Sequence, residues 1–207
     1  MNPAQNIGKY FRYNLDQGTT VQDRQTLDRG IKRGHEAHWS SSVVLTNARG
    51  GGGGQPWTFR FLKYWPGAIT RCPIGPHGVL TGPMSGCILC RYINTTGATS
   101  VAHIGTDTDP ANANTITVKA DWTAYMASKP GGNFVGRKPT HVITDHDVLA
   151  EAKAGQLQPL TGYQVWGYFR TNDAWALLIH RGADGINQII RARPMALLPW
   201  AAIPGSW

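Results

Sequence analysis

Apolar residues fall mostly in short runs with a spacing of two, broken by glycine- and proline-rich punctuation. Trp57, Phe59 and Phe61 alternate with Thr58, Arg60 and Leu62, the pattern of a strand with one face buried. SSVVLTNA ahead of it reads as another strand. YQVWGYFR and WALLIH, joined by TNDA, read as a hairpin, and INQIIRARP as a last strand. The apolar segment GVLTGPMSGCILCRYI, followed by NTTGATS and SVAHIGT, predicts a hairpin between Met84 and Thr106, and ITVK predicts a short strand. Helical signals are sparser. Val21, Leu27 and Ile31 after Thr20 suggest a short surface helix interrupted near Gly30, and DWTAYMASKP a brief helix stopped at Pro130-Gly131-Gly132. THVITDHDVLAEAKAG predicts a strand running into a helix capped by Asp145 or Asp147. Strands outnumber helices and no repeat or internal linker is visible. The expectation is one α/β domain over residues 1–207, a strand-rich sandwich of mixed sheets with peripheral helices.

Composition agrees with this pattern. Hydrophobic residues make up 41% of the 207 and charged residues 15%, with 25 glycines and 13 prolines, which suits strands and turns better than long charged helices. Gly50 to Gly54 reads as a mobile loop, because no Lys-Ser/Thr follows it as a phosphate-cradling loop requires. The formal net charge of +8 favours acidic protein surfaces, nucleic acid or anionic lipid as partners. Nucleic acid is left open but not favoured, since the basic residues are scattered and no zinc-finger or RNA-recognition signature occurs. The start, MNPAQNIGKYF, has no basic segment leading into an apolar run, and nowhere do about 18 apolar residues follow one another. A soluble chain without a signal peptide or membrane partner is expected. Three cysteines fit reduced thiols better than a disulfide framework.

Candidate chemistry lies in the Met84 to Thr106 hairpin. With its turn centred on Thr95, Cys87 falls opposite His103, and their even spacing puts both side chains on one face. A thiol beside an imidazole is the arrangement of nucleophilic catalysis: an imidazolium lowers the thiol pKa and holds a thiolate ready. Ser85 and Gly86 allow a tight backbone approach, so main-chain N–H groups beside Cys87 are expected to support an oxyanion.

The run TGPMSGC at residues 81–87, followed by AHIGT at 102–106, resembles the signature of the glutamine-deamidating bacterial toxins, the family of cytotoxic necrotizing factor and Burkholderia lethal factor. In that family a Leu-Ser-Gly-Cys turn supplies the nucleophile and a following strand supplies His, often before a Gly. Ser85, Gly86 and Cys87 match, Met84 replaces the Leu, and His103 with Gly105 matches the second element. Thr81 fits a threonine that supports the site. The match covers about 26 residues, and chemoreceptor deamidases share the same general Cys-His architecture, so reaction type carries over better than target. The resemblance implies a cofactor-free hydrolase with Cys87, His103 and Thr81 in its site, acting on a reactive glutamine of a host or cellular protein, as an effector in the cytosol of a target cell.

Other readings of the same residues remain. The same pair suits a thiol peptidase or a transglutaminase, and a basic binding module would simply bury Cys87. Cys72, His77, Cys87 and Cys90 make a four-ligand zinc set on paper, but strand alternation sends Cys87 and Cys90 to opposite faces. His141, Asp145, His146 and Asp147 read as helix-capping acids and surface histidines. The eight tryptophans are assigned to core or substrate rim. No metal and no cofactor is expected.

Overall fold

The computed structural model describes residues 1–13, 24–25, 34–153 and 162–203. Within them the strands are β1 (Tyr10–Arg12), β2 (Arg24–Gln25), β3 (Gly34–Glu36), β4 (His38–Leu45), β5 (Gln55–Leu62), β6 (Ile69–Pro73), β7 (Val79–Met84), β8 (Ile88–Ile93), β9 (Thr99–Ile104), β10 (Val135–Arg137), β11 (Tyr163–Phe169), β12 (Ala174–Arg181), β13 (Ile186–Pro194) and β14 (Leu198–Pro199). Two helices, α1 (Ala113–Ala127) and α2 (Asp145–Lys153), accompany them. The strand-rich mixed α/β class read from the sequence is the class of the structure.

The strands form two seven-stranded sheets, in the orders β1-β13-β12-β11-β7-β5-β4 and β14-β10-β8-β9-β6-β3-β2. Both are mixed, because β5 runs parallel to β7 and β3 parallel to β6. The ends of the first sheet meet: Tyr10 and Thr46 exchange backbone hydrogen bonds of 2.9 and 2.8 Å and close that sheet on itself. The closure rests on this one bridge, and beside it Tyr10, Phe11 and Arg12 face Ser42, Val43 and Val44 across an open pocket. The lumen of the sheet is filled by Phe11, Trp57, Phe59, Phe61, Trp166 and Tyr168, so the alternation in β5 marks barrel-inward positions. Val79, Val165, Phe169 and Leu178 point outward from the same strands and pack against Cys72, Leu89 and Val101 of the second sheet. The other face of the second sheet is covered by Val118, Trp122 and Tyr125 of α1.

Two elements depart from expectation. ITVK is not a strand but the second turn of α1, whose buried Thr115, Val118, Trp122 and Tyr125 recur at helical spacing from an Asn112 cap. The period of the tryptophan-tyrosine stripe extends back through it and overrides the β propensity of Ile116, Thr117 and Val118. The strand expected at THVIT is instead a 3-10 turn, Pro139–His141, leading into α2. Thr144 N donates to Asp147 Oδ2 at 2.9 Å, so the capping is done by Thr144 with Asp147 and not by Asp145. Asp147 also accepts from Arg191 and Arg193 of β13, which ties α2 to the barrel. The helix expected after Thr20 falls largely outside the described residues, and Arg24–Gln25 and Gly34–Glu36 within that stretch are strands. The second hairpin and the last strand stand as β11, β12 and β13.

Candidate active site

Strand β7 carries the chain out of the barrel, and residues 85–87 turn it into β8 of the second sheet. Two glycines of the motif let this turn meet the exit of β9 backbone to backbone. A Cβ on Gly86 would run into the Asp107 carbonyl, and one on Gly105 into the Trp65 carbonyl. The space is used by hydrogen bonds: Thr106 Oγ1 donates to Gly86 O at 2.7 Å, and Gly105 exchanges backbone bonds with the loop before β6, through Gly67 N and Ala68 O, at 3.0 and 2.9 Å. Asp107 N donates to Thr115 Oγ1 of α1 at 2.9 Å, anchoring the far side.

The register of β8 and β9 differs from that read off the sequence. Leu89, not Cys87, lies opposite His103, because the hairpin centres on Thr96, one residue later than expected. A shift of one residue in the centre moves the partner by two positions, and a period of two preserves the face. Cys87, immediately ahead of β8, is therefore the diagonal neighbour of His103 on the same side of the sheet. Both lie in the layer between the two sheets, and both are almost fully buried, at 2% and 1% exposure.

From the barrel side, Thr81 of β7 reaches across this layer. Its Oγ1 lies 2.7 Å from His103 Nδ1, a buried bond linking the two sheets. The opposite ring nitrogen, Nε2, is buried without a hydrogen-bond partner. Cys87 Sγ does not fill that role; it donates to the Thr106 carbonyl at 3.3 Å. The Tyr64 ring lies 5.2 Å from the imidazole, tilted 32° to it. Tyr64 is only partly buried and packs on the cluster that holds Cys87.

Electrostatics correct a second expectation. Burial alone pushes the His103 imidazolium down to about 3. The Cys87 thiol is pushed up to about 12, first by burial and also by Asp107, against the pull of the Gly86 and Cys87 backbone N–H groups and of Lys138. At neutral pH the pair is thus a neutral thiol and a neutral imidazole, not a thiolate held by an imidazolium, since desolvation outweighs everything nearby. Gly86 and Cys87 supply the amides that favour charge on the sulfur. Ser85, by contrast, is exposed and stands in the wall of an open cleft of about 630 Å³.

Of the residues expected from the sequence, Cys87, His103, Thr81 and Gly86 come together here and Ser85 faces the cleft. Tyr64, Asp107 and Lys138, which the sequence pattern does not single out, also act on the pair. One signal existed for Tyr64: it keeps the parity of Leu62, the last residue of β5 and a member of the layer between the sheets. The paper zinc set is dispersed. Cys90 lies in the layer under α1, Cys72 in the layer of Cys87, and His77 is exposed. Among the described residues no three His, Cys, Asp or Glu side chains gather around a point that would hold a metal ion. The three cysteines are free, and no helix of the described residues is long and apolar enough to cross a membrane. No known family model, curated protein or solved structure matches the chain.

Proposed function

We propose that the protein is a cysteine-dependent glutamine deamidase that hydrolyses a glutamine side-chain amide of a target protein to glutamate through a Cys87 thioester. The observation that carries this reading is the buried Thr81 Oγ1 to His103 Nδ1 bond in the layer that also buries Cys87. With the Nδ1 proton donated to Oγ1, Nε2 keeps its lone pair and serves as base. The Thr81 hydroxyl fixes the imidazole tautomer in the layer that holds the thiol, and leaving Nε2 buried and unpaired costs about 1–3 kcal/mol.

In this reading Tyr64 swings aside, Cys87 Sγ rotates from the Thr106 carbonyl toward Nε2, and Nε2 takes its proton as sulfur attacks the amide carbon. The Gly86 and Cys87 N–H groups, which favour charge on the sulfur, serve as the donors to the developing oxyanion. The imidazolium returns the proton to the departing nitrogen, releasing ammonia and leaving a thioester. Water, deprotonated by Nε2, then attacks the thioester, giving glutamate and restoring the thiol. The low imidazolium pKa makes His103 a weak base but a strong acid toward the leaving nitrogen. The resemblance of residues 81–87 and 102–106 to the deamidating toxins supports the same chemistry, and with it a role as an effector acting in the cytosol of a target cell.

The test is mass spectrometry of candidate host proteins incubated with the native chain and with Cys87→Ala. A gain of about one dalton at a glutamine, with ammonia released and only the native chain active, is the expected result. Chain cleavage would identify a peptidase and amine incorporation a transglutaminase. Equal inertness of Cys87, Cys72 and Cys90 to alkylation, with no product, would leave a binding module.

A further inference from the structure

The cleft beside Ser85 belongs to no step described so far. Its floor is the end of β7 and the start of β11, at Met84 and Val165, and one wall is the entry to α2, at Ile143, Asp145 and Val148. Met84, Ile143 and Val165 are members of the apolar cluster that surrounds Cys87, and Val148 packs on it, so the cleft and the thiol share one wall of side chains. Ser85 lines the cleft two residues before Cys87, and two residues span at most about 7 Å. The cleft thus comes within about a glutamine side chain's length of Cys87, which is itself buried and does not line it.

The volume of about 630 Å³ lies within the roughly 300–1,000 Å³ typical of binding pockets, and it exceeds what a lone side-chain amide fills. Its chemistry is one-sided. The described lining is apolar side chains, hydroxyls and an amide, and Asp145 is the only charged residue in it, exposed at the start of α2. In a chain of net charge +8 this leaves a cleft whose lining carries negative charge alone.

We infer that this cleft binds the peptide segment flanking the target glutamine, taking an apolar neighbour against Met84, Ile143 and Val148 and a basic neighbour against Asp145. This specifies the substrate class and rests on the deamidase reading above. An exposed ion pair contributes little by itself, so the apolar contact supplies most of the affinity and Asp145 the discrimination.

The test uses two labelled peptides, Gly-Leu-Gln-Lys-Gly and Gly-Leu-Gln-Glu-Gly, titrated by fluorescence anisotropy onto the full chain carrying Cys87→Ala. The lysine peptide should bind about five-fold more tightly than its glutamate counterpart, as expected of one exposed pair. Adding Asp145→Asn should abolish that difference and Asp145→Lys reverse it. Adding Val148→Arg should weaken both peptides about tenfold by removing the apolar wall, and an unchanged urea midpoint for each variant shows that the fold is intact. Equal affinity for the two peptides, indifference to these variants, or displacement by free glutamine as effective as by peptide would overturn the assignment. Separation from the deamidase reading is direct. Selective binding without turnover by the native chain would sink the chemistry and keep the cleft, and turnover without selectivity would do the reverse.

Discussion

The two faces of the second sheet are built from the same strands and filled in opposite ways. Beneath α1, Ile69, Ile88, Cys90, Tyr92, Ala102 and Ile104 meet Val118, Trp122 and Tyr125. Trp122 packs edge to face on Tyr92 with ring centroids 5.5 Å apart, and Phe134 stacks on the same tyrosine. Toward the barrel, alternate residues of the same strands include Thr70, Cys72 and His103, with Cys87 just ahead of β8, and the barrel answers with Thr81. Burial is equally complete on both sides, and each leaves a buried polar atom without a partner, Trp122 Nε1 under α1 and His103 Nε2 toward the barrel; the difference is that the second belongs to an imidazole beside a thiol. One layer stabilises by removing aromatic surface from water, at about 25 cal/mol per Å². The other holds an imidazole with one nitrogen bonded and the other idle. Alternation lets one face of a strand supply aromatic packing while the other holds the thiol and imidazole, and the two faces should answer mutation differently.

Trp122→Ala attacks the aromatic face and should be the most damaging change to stability. A large buried aromatic cut to alanine costs about 3–5 kcal/mol, which urea denaturation would read as a lower midpoint with little change in slope. The chemical face should be spared, so turnover per folded molecule should stay near native. A loss of turnover as large as the loss of stability would show that the two faces are not independent.

Acid should act through the other face. His103 holds its pKa near 3 when folded against 6.5 when unfolded, so between those values the unfolded chain binds a proton that the folded chain refuses. Stability from this group is complete above 6.5 and is lost as pH falls, at about 1.4 kcal/mol per unit. His38, His141 and His180 are shifted the same way by burial and add to the total slope. The informative quantity is the difference from His103→Gln, which should lose on the order of 2 kcal/mol less than the native chain between pH 7 and pH 5. Equal losses would mean that His103 is not held neutral by burial.

Much of this arrangement was legible in the sequence because it depends on parity. Period-two alternation placed Trp57, Phe59 and Phe61 on one face, and an even spacing put Cys87 and His103 together even though the hairpin centre was misjudged by a residue. The closure of the first sheet was not legible, because Tyr10 and Thr46 meet only after seven strands are laid side by side. Nor was the neutral state of the pair, since the desolvation that shifts both groups comes from the packing of two sheets and not from neighbours in sequence. ITVK reads as a strand because three of its four residues carry β propensity, whereas its helical stripe becomes visible only over the length of α1.

Thr81→Val tests whether the bond across the layer serves chemistry. Valine keeps the shape and removes the acceptor of Nδ1, so turnover should fall about tenfold or more, the loss expected when a base is no longer held in its useful tautomer. Stability should fall by about 1–2 kcal/mol, because Nδ1 is left buried and unpaired. Thr81→Ser restores the hydroxyl and should recover turnover. A turn-only role for Thr81 predicts that serine and valine differ in stability alone, with turnover per folded molecule unchanged in both.

Cys90→Ala should have the smallest effect, and it sharpens the comparison because Cys90 lies only three residues from Cys87 on the opposite face. Its thiol sits among Ile88, Ala102 and Trp122 under α1, with Sγ 3.6 Å from the Arg91 carbonyl and no path to His103 through the sheet. Burial raises its pKa well above the ordinary value, so it stays a neutral thiol and behaves as a small hydrophobe. Replacing sulfur by hydrogen opens a small gap in an aromatic layer, with a cost of about 1 kcal/mol or less in urea denaturation. Deamidation measured by ammonia release should remain within about two-fold of native, because exchange on one face changes the other only through backbone shifts. A fall in turnover comparable to that of Cys87→Ala would mean that the sheet does not separate the two thiols, and the division between a face for stability and a face for chemistry would have to be abandoned.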